Sequence, residues 1–139
     1  MAVVTKTIKI TTQGNTDVVD ITGEVERCVA ESGVSSGIAA VFVPGSTAGV
    51  TTIEYEGGAL RDLREAWGRL APRDIHYHHN ARWGDGNGHS HVRAAIQGAS
   101  LTVPFVSSEL LLGTWQQIVL VDFDNRSRSR EIIVQIVGE

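Results

Sequence analysis

The chain contains a single cysteine, Cys28, so it can form no disulfide within itself. That absence fits a reducing compartment. The N-terminus lacks a basic start followed by an apolar run, which argues against a signal peptide. No segment approaches the roughly 20 apolar residues that a membrane span needs. We therefore expect a cytoplasmic protein with no membrane partner.

Positive charge is also scarce, because 12 Lys and Arg residues face 16 Asp and Glu residues, for a formal net charge of -4. This balance argues against a nucleic-acid binder that relies on general attraction to phosphates, and it leaves a local basic patch open. The apolar fraction of 42% and the charged fraction of 20% are those of an ordinary globular protein. A chain of 139 residues is expected to form one domain, over residues 1–139, with one core.

Apolar periodicity predicts an α+β fold with two main helices. One amphipathic helix is expected after Asp20 or Thr22, a second over Leu60–Leu70, and a short helix over Val92–Gln97. Because strands cluster late in the chain, their pairing is expected to be mostly antiparallel. The predicted strands are Val3–Thr12, Gly37–Val43, Val50–Tyr55, Ser100–Val106, Glu109–Leu112, Thr114–Asp122 and Glu131–Val137.

All five histidines of the chain lie in one short stretch, between His76 and His91. Neutral imidazole is a good ligand for zinc and related ions, and a catalytic zinc site takes about three protein ligands. In an extended backbone the rings of His89 and His91 would lie on one side, whereas in a helix they would point nearly apart. The segment is therefore a candidate metal site, with a polar loop whose histidines cap backbone groups as the alternative.

Three further polar features are candidates for chemistry. Glycine and small hydroxyl residues in Pro44–Gly49 let backbone N–H groups approach an anion, so Ser46 and Thr47 are candidate phosphate ligands, or part of an ordinary turn. Glu54 can act as a general base or orient a histidine, or it is a strand-edge charge in water. Arg93 can hold a phosphate or carboxylate, or form a surface ion pair.

Arginines alternate in a polar segment near the end of the chain, at Arg126, Arg128 and Arg130. Acidic residues nearby dilute their charge, so the segment is predicted to be a solvated turn rather than an anion site. Trp115 opens a predicted strand and is expected to form the wall of a pocket, a subunit contact or part of the core.

Several of these motifs, in this order and over nearly the whole chain, resemble the YjbQ-like family. The Gly-Thr-Trp-Gln block and the His-x-Arg-Ala block are together specific. The matching segments are Gly45-Ser46-Thr47-Ala48, Glu54, His79-Asn80, Asp85-Gly86-Asn87-Gly88-His89-Ser90-His91-Val92-Arg93-Ala94, Gly98-Ala99-Ser100, Pro104, Leu112-Gly113-Thr114-Trp115-Gln116 and Val137-Gly138-Glu139.

The resemblance implies a compact α+β domain with a β-sandwich-like core that assembles as a homotrimer. It also implies a metal, most often zinc, held by histidines, and a small phosphorylated metabolite as ligand. Some family members are similar to secondary thiamine-phosphate synthases. These properties are expectations from the resemblance alone.

The sequence departs from the family pattern at one informative position. Many members begin the first motif with histidine, and here Gly45 stands in that place. His89 is an extra histidine beside the family position at His91. The hypothesis is that His89 supplies the missing ligand and completes a site of His79, His89 and His91, with His78 as the alternative third ligand.

Two classes of function follow. In an enzyme that joins a pyrimidine pyrophosphate to a thiazole phosphate, Ser46, Thr47 and Arg93 would hold phosphate oxygens and Glu54 would handle a proton. Three histidines suit zinc and hydrolysis better than diphosphate chemistry, which usually employs magnesium on oxygen ligands. A metal-dependent hydrolase or lyase is therefore a second enzymatic hypothesis. The other class is a non-enzymatic, zinc-binding structural trimer.

Overall fold

Two antiparallel sheets form the framework of the computed structural model, which describes residues 1–139. The strands are β1 (Ala2–Thr12), β2 (Asp17–Asp20), β3 (Gly37–Phe42), β4 (Ala48–Ile53), β5 (Ser100–Val106), β6 (Glu109–Leu110), β7 (Gln117–Asp122) and β8 (Arg128–Gly138). The order is β1-β8-β3-β5-β6 in the five-stranded sheet and β2-β7-β4 in the three-stranded sheet. Every strand pair is antiparallel.

The register of β8 decides which of its side chains enter the protein. It pairs with β1 along its whole length, from Ala2 opposite Gly138 to Thr12 opposite Arg128. Because successive side chains of a strand point to opposite faces, every second residue from Arg130 to Gly138 is buried. Arg130 therefore lies in the same inward row as the apolar residues of β8.

Four helices complete the fold, and glycines mark the ends of two of them. The helices are α1 (Thr22–Glu31), α2 (Gly57–Leu70), α3 (His78–Trp83) and α4 (Gly88–Gln97). The Glu56 carboxylate accepts hydrogen bonds from the first N–H groups of α2, which stabilises that helix start. Gly84 follows α3 at a φ of 73°, a conformation that favours glycine, and Gly98 follows α4.

Apolar side chains fill two layers, one on each face of the three-stranded sheet. The larger cluster lies between the two sheets and includes one face of α1 with Cys28, whose thiol pKa is raised by burial. The smaller cluster packs α2 and α4 against the other face of the three-stranded sheet. Its centre is an edge-to-face contact between Trp67 and Phe123, with ring centroids 5.2 Å apart. This second layer fixes the position of α4.

The predicted α+β class and mostly antiparallel pairing are confirmed, and both predicted main helices are present. The pattern missed β2 and α3, and it placed the start of α4 at Val92 instead of Gly88. The prediction of a solvated turn is wrong for Arg128 and Arg130, because both belong to β8. No helix has both the length and the apolar character that crossing a bilayer requires.

Truncation of Phe123 tests the role of the second layer. We expect Phe123→Ala to lower the free energy of unfolding by about 3–5 kcal/mol, because it leaves a cavity under α2 and α4. The matched control, Leu70→Ala, removes a side chain from a residue that is 67% exposed and should change stability by about 0.5 kcal/mol or less. Urea denaturation measures both, and equal losses would contradict this account of the packing.

Candidate functional site

Two of the predicted histidine ligands meet where α3 and α4 pack together. The ring centroids of His79 and His91 lie 4.3 Å apart, with the ring planes tilted by 41°. His79 Nδ1 is 3.4 Å from Asp85 Oδ1, but this buried nitrogen makes no hydrogen bond because the angles are unsuitable. The pair therefore presents two neighbouring imidazoles, one of which has an unsatisfied ring nitrogen.

A close approach between the two helices creates this pair. Asn80 Oδ1 accepts a hydrogen bond of 2.8 Å from the backbone N–H of Gly88. A Cβ atom at Gly88 would lie only 2.5 Å from Cβ of Tyr77, so any larger residue would push α3 away from α4. Glycine at this position therefore permits the contact between His79 and His91.

His89 lies apart from this pair, inside the protein. Residues two positions apart in an α-helix point about 200° from each other, and both His89 and His91 belong to α4. His89 is 2% exposed, and its Nδ1 has no hydrogen-bond partner. Burial lowers the pKa of His89, and Arg93 and Arg73 lower it further. The extended conformation that would align the two rings does not occur.

The other two histidines form a separate contact. His76 and His78 are exposed, and their ring centroids lie 5.0 Å apart in an edge-to-face arrangement. No group of three His, Cys, Asp or Glu side chains is arranged to hold a metal ion. The structure thus brings together two of the proposed ligands, His79 and His91, and leaves His89 and the alternative, His78, outside the pair.

A buried network of charges lies between the two sheets. Arg130 donates from Nε and Nη2 to the two carboxylate oxygens of Asp122, each at 2.8 Å, and Arg128 pairs with Asp124 at 2.6 Å. Both carboxylates are completely buried. Burial alone would raise the pKa of Asp124, but hydrogen bonds from Arg128, the Asn125 backbone and Asn87 outweigh it and lower that pKa.

The loop between β3 and β4 joins this network to a surface cavity. Thr47 is buried, accepts a 2.7 Å hydrogen bond from Arg130 and donates to Asp124 at 3.2 Å, so its hydroxyl is already engaged. Ser46 is exposed and, together with Gly45 and His91, lines a cavity of about 360 Å³. Of the three candidate phosphate ligands, Ser46, Thr47 and Arg93, only Ser46 therefore lines this cavity.

Arg93 connects elements of the fold. It donates from Nε to the carbonyl oxygen of Ala71 at 3.0 Å and from Nη1 to Thr16 Oγ1 at 2.9 Å. Burial lowers the pKa of its guanidinium. These contacts attach α4 to the end of α2 and to the turn before β2, and they are made on the side of α4 that carries His89.

Glu54 lies at the far end of β4 from Ser46. It is exposed, and it lines a second cavity, of about 490 Å³, with Tyr55 and the exposed Trp115. At about 3.3 Å per residue, β4 separates Glu54 from the loop at Ser46 by roughly 20 Å. A single chain therefore does not bring Glu54 to the histidine pair, and Trp115 is the wall of a pocket and not part of the core.

Sequence reasoning missed the buried residues that support the site, chiefly Asp122, Asp124 and Arg130. One signal for them was present in the sequence. Asp122 ends an apolar run and Phe123 separates it from Asp124, which is an unusual place for two carboxylates unless cations lie nearby.

Comparison with known proteins shows the family to which this chain belongs. The model of the family described as UPF0047 protein YjbQ-like matches residues 6–139. The chain belongs to the YjbQ-like family. A UPF0047 protein of Methanothermobacter thermautotrophicus is 35% identical over 139 residues, which are 100% of this chain and 95% of the relative. The Bacillus subtilis UPF0047 protein YugU is 33% identical, over 96% of this chain and 98% of its own.

Solved structures of other YjbQ-like proteins share the fold. A YbjQ-like protein of unknown function from Sulfolobus solfataricus matches with a TM-score of 0.94 and 35% identity, over 99% of both chains. A YjbQ/UPF0047 family protein from Clostridium acetobutylicum matches with a TM-score of 0.87 and 34% identity, over 95% of this chain and 99% of the other. The two-sheet architecture is therefore that of the family.

The burial of His89 predicts a pH dependence of stability. Its pKa is lower in the folded chain than the usual 6.5, so the unfolded chain binds the proton first as the pH falls. We expect the free energy of unfolding to decrease as the pH falls through about 6.5, and His89→Gln to flatten this decrease between about pH 5 and 7. Urea denaturation at several pH values measures it. His76→Gln, at an exposed position, is the control; an unchanged slope in His89→Gln would refute the assignment.

Proposed function

We propose that this YjbQ-like chain binds a divalent metal through His79 and His91, beside a cavity that accepts a small phosphorylated metabolite. The contact between the two rings, 4.3 Å apart, is the observation that carries the proposal. The unsatisfied Nδ1 of His79 and the nearby Asp85 carboxylate support it. Carboxylates commonly orient metal-binding histidines by accepting from the ring nitrogen that does not bind the metal.

The residues present fit a site with two imidazole ligands. Such a donor set suits zinc and related transition ions, whereas magnesium prefers oxygen ligands. Gly45 has no side chain to offer, so water or the metabolite itself would fill the remaining positions. The bound ion would supply a polarised oxygen ligand. His79 and His91 would hold it, and the proposed set of His79, His89 and His91 is reduced to two protein ligands.

The cavity beside His91 supports a small metabolite as the ligand. Its volume of about 360 Å³ is within the range of small-molecule sites. Ser46 can donate its hydroxyl to a phosphate oxygen there, while Thr47 and Arg93 are occupied in the interior. A phosphorylated ligand is therefore expected to meet the loop at Gly45 and Ser46 and not the side chain of Arg93.

Thiamine-phosphate synthase activity is the reaction that the family resemblance implies. The reaction expels pyrophosphate and needs stabilisation of negative charge on the leaving group. Donors at the β3–β4 loop support such a role, but the cavity has no cluster of carboxylates that would bind magnesium. Hydrolysis or elimination on a phosphorylated molecule fits two imidazoles better. A non-enzymatic zinc-binding protein is the alternative.

The homotrimer stays a prediction, and one surface supports it. Ile38 and Phe42 on β3, Val106 on β5 and Val3 on β1 are each more than 40% exposed on the outer face of the five-stranded sheet. Exposed apolar side chains that share one sheet face are typical of a protein–protein interface. A trimer would also be one way to bring Glu54 of a neighbouring copy towards the cavity beside His91.

Zinc binding by histidine variants tests the metal site. We expect His79→Ala and His91→Ala each to weaken zinc binding by about tenfold or more, because each removes one of two protein ligands. His76→Ala and His89→Ala should bind zinc like the wild type. Competition with a chromogenic chelator gives the affinities. Wild-type affinity in both His79→Ala and His91→Ala would refute the site.

Turnover assays separate catalysis from binding. We expect the zinc-loaded protein to convert a small phosphoester. We expect His91→Ala to lose at least about 10²-fold in rate, because it removes one of the two proposed ligands of the ion. The panel includes generic phosphoesters and the pyrimidine pyrophosphate with the thiazole phosphate. Glu54→Ala is the matched variant at the other cavity. Equal rates in wild type and His91→Ala would contradict the proposal, and no turnover with zinc retained would favour the non-enzymatic alternative.

A further inference from the structure

The guanidinium of Arg130 has a donor nitrogen that no protein group uses. Its Nε and Nη2 donate to Asp122, and Nη2 also donates to Thr47, whereas Nη1 makes no hydrogen bond. The residue is 9% exposed, and its remaining contacts hold the planar group in one orientation. Nη1 is not among the fully buried side-chain atoms that lack a partner, so this one corner of the guanidinium reaches the surface, where a ligand can accept from it.

Gly45 is the residue that lies in front of this open nitrogen. A Cβ atom built at Gly45 would be 3.1 Å from Arg130 Nη1. The backbone φ of Gly45 is 125°, which also disfavours any side chain. The bare backbone at this position therefore leaves open the space beside Nη1 that a side chain would fill.

The open nitrogen belongs to the same loop region as the cavity beside the histidines. Gly45, Ser46 and His91 all line that cavity. Ser46 follows Gly45 directly and is exposed, and neither its hydroxyl nor its backbone N–H donates a hydrogen bond within the protein. The other two arginines of this segment differ from Arg130. Arg126 is exposed in the turn before β8, and Arg128 is paired with Asp124.

We infer that Arg130 Nη1 and Ser46 form an oxyanion subsite that holds the phosphoryl group of the ligand. The inference rests on the proposed function only for the kind of ligand, and it does not require the metal. Asp122 and Thr47 act as positioning residues, because they fix the guanidinium with its free edge towards Gly45. A planar guanidinium and a neighbouring hydroxyl are donors well matched to phosphate oxygens.

Calorimetric titration of the metal-free protein with inorganic phosphate tests the subsite. We expect the wild type to bind phosphate and Gly45→Ala to bind it about tenfold more weakly, the loss of one charge-assisted hydrogen bond. Gly33→Ala is the matched control, because Gly33 also has a left-handed φ but a Cβ there meets nothing within 4 Å. Phosphate affinity in Gly45→Ala equal to that of Gly33→Ala would overturn the subsite.

Arginine variants give a second measurement. Arg130→Lys keeps the positive charge beside Asp122 but has one donor nitrogen in place of three. Asp122 would occupy that nitrogen, so the variant should lose phosphate binding; circular dichroism checks that it folds. Arg126→Ala removes an exposed arginine of the same segment and should bind normally. Loss of binding in Arg126→Ala with wild-type binding in Gly45→Ala would show general surface attraction instead, and overturn the inference.

Two further arms separate this inference from the metal site and from other anions. Acetate should bind more weakly than phosphate, and equal binding of both would overturn the assignment to a phosphoryl group. Zinc binding should be unchanged in Gly45→Ala. If zinc fails to bind the wild type while Gly45→Ala still weakens phosphate, the metal proposal falls and the subsite stands. If phosphate binds only to zinc-loaded protein, irrespective of Gly45, the subsite falls.

Discussion

The paired hydrogen bonds between Arg130 and Asp122 connect the two sheets, because Arg130 belongs to β8 of one sheet and Asp122 to β7 of the other. The same guanidinium holds Thr47, and with it the start of β4. Removing one partner of a buried pair typically destabilises a protein by about 3–5 kcal/mol, since the other charge is left without compensation. The position of the β3–β4 loop, and of the cavity it lines, therefore depends on an ion pair and not on apolar packing alone.

The helical period gives the two histidines of α4 different roles. His89 and Arg93, four residues apart, lie on the buried side of the helix, where burial lowers the pKa of His89 and Arg93 joins α4 to Ala71 and Thr16. His91 lies on the other side and contacts His79. A single helix thus separates the side chains that hold it in place from the side chain that faces the cavity.

The fold was largely predictable from the sequence, whereas the site was only partly so. Alternating burial is a local property, so a strand such as β8 is visible over most of its length. The start of α4 could not be predicted in the same way. Its first turn has no side-chain cap, because Asn87 donates its side-chain N–H to Asp124 at 3.3 Å instead. That contact joins residues distant in sequence, as does the pairing of Arg130 across the two sheets. Residue types and spacing therefore indicated the histidines as candidate metal ligands, but they did not show which of the rings contact each other.

The residues that follow β7 hold several neighbouring segments in place through hydrogen bonds. The Phe123 carbonyl accepts from Ser90 Oγ at 2.5 Å, and the Asn125 side chain donates to the carbonyl oxygen of Asp85 at 2.8 Å. The backbone N–H of Phe123 donates to the backbone carbonyl oxygen of Thr47 at 2.9 Å. One short stretch of chain thus anchors α4, the loop before it and the loop at Ser46. The two walls of the cavity, α4 and the β3–β4 loop, are therefore hydrogen-bonded to the same residue, Phe123, and a change in its backbone position would alter both walls.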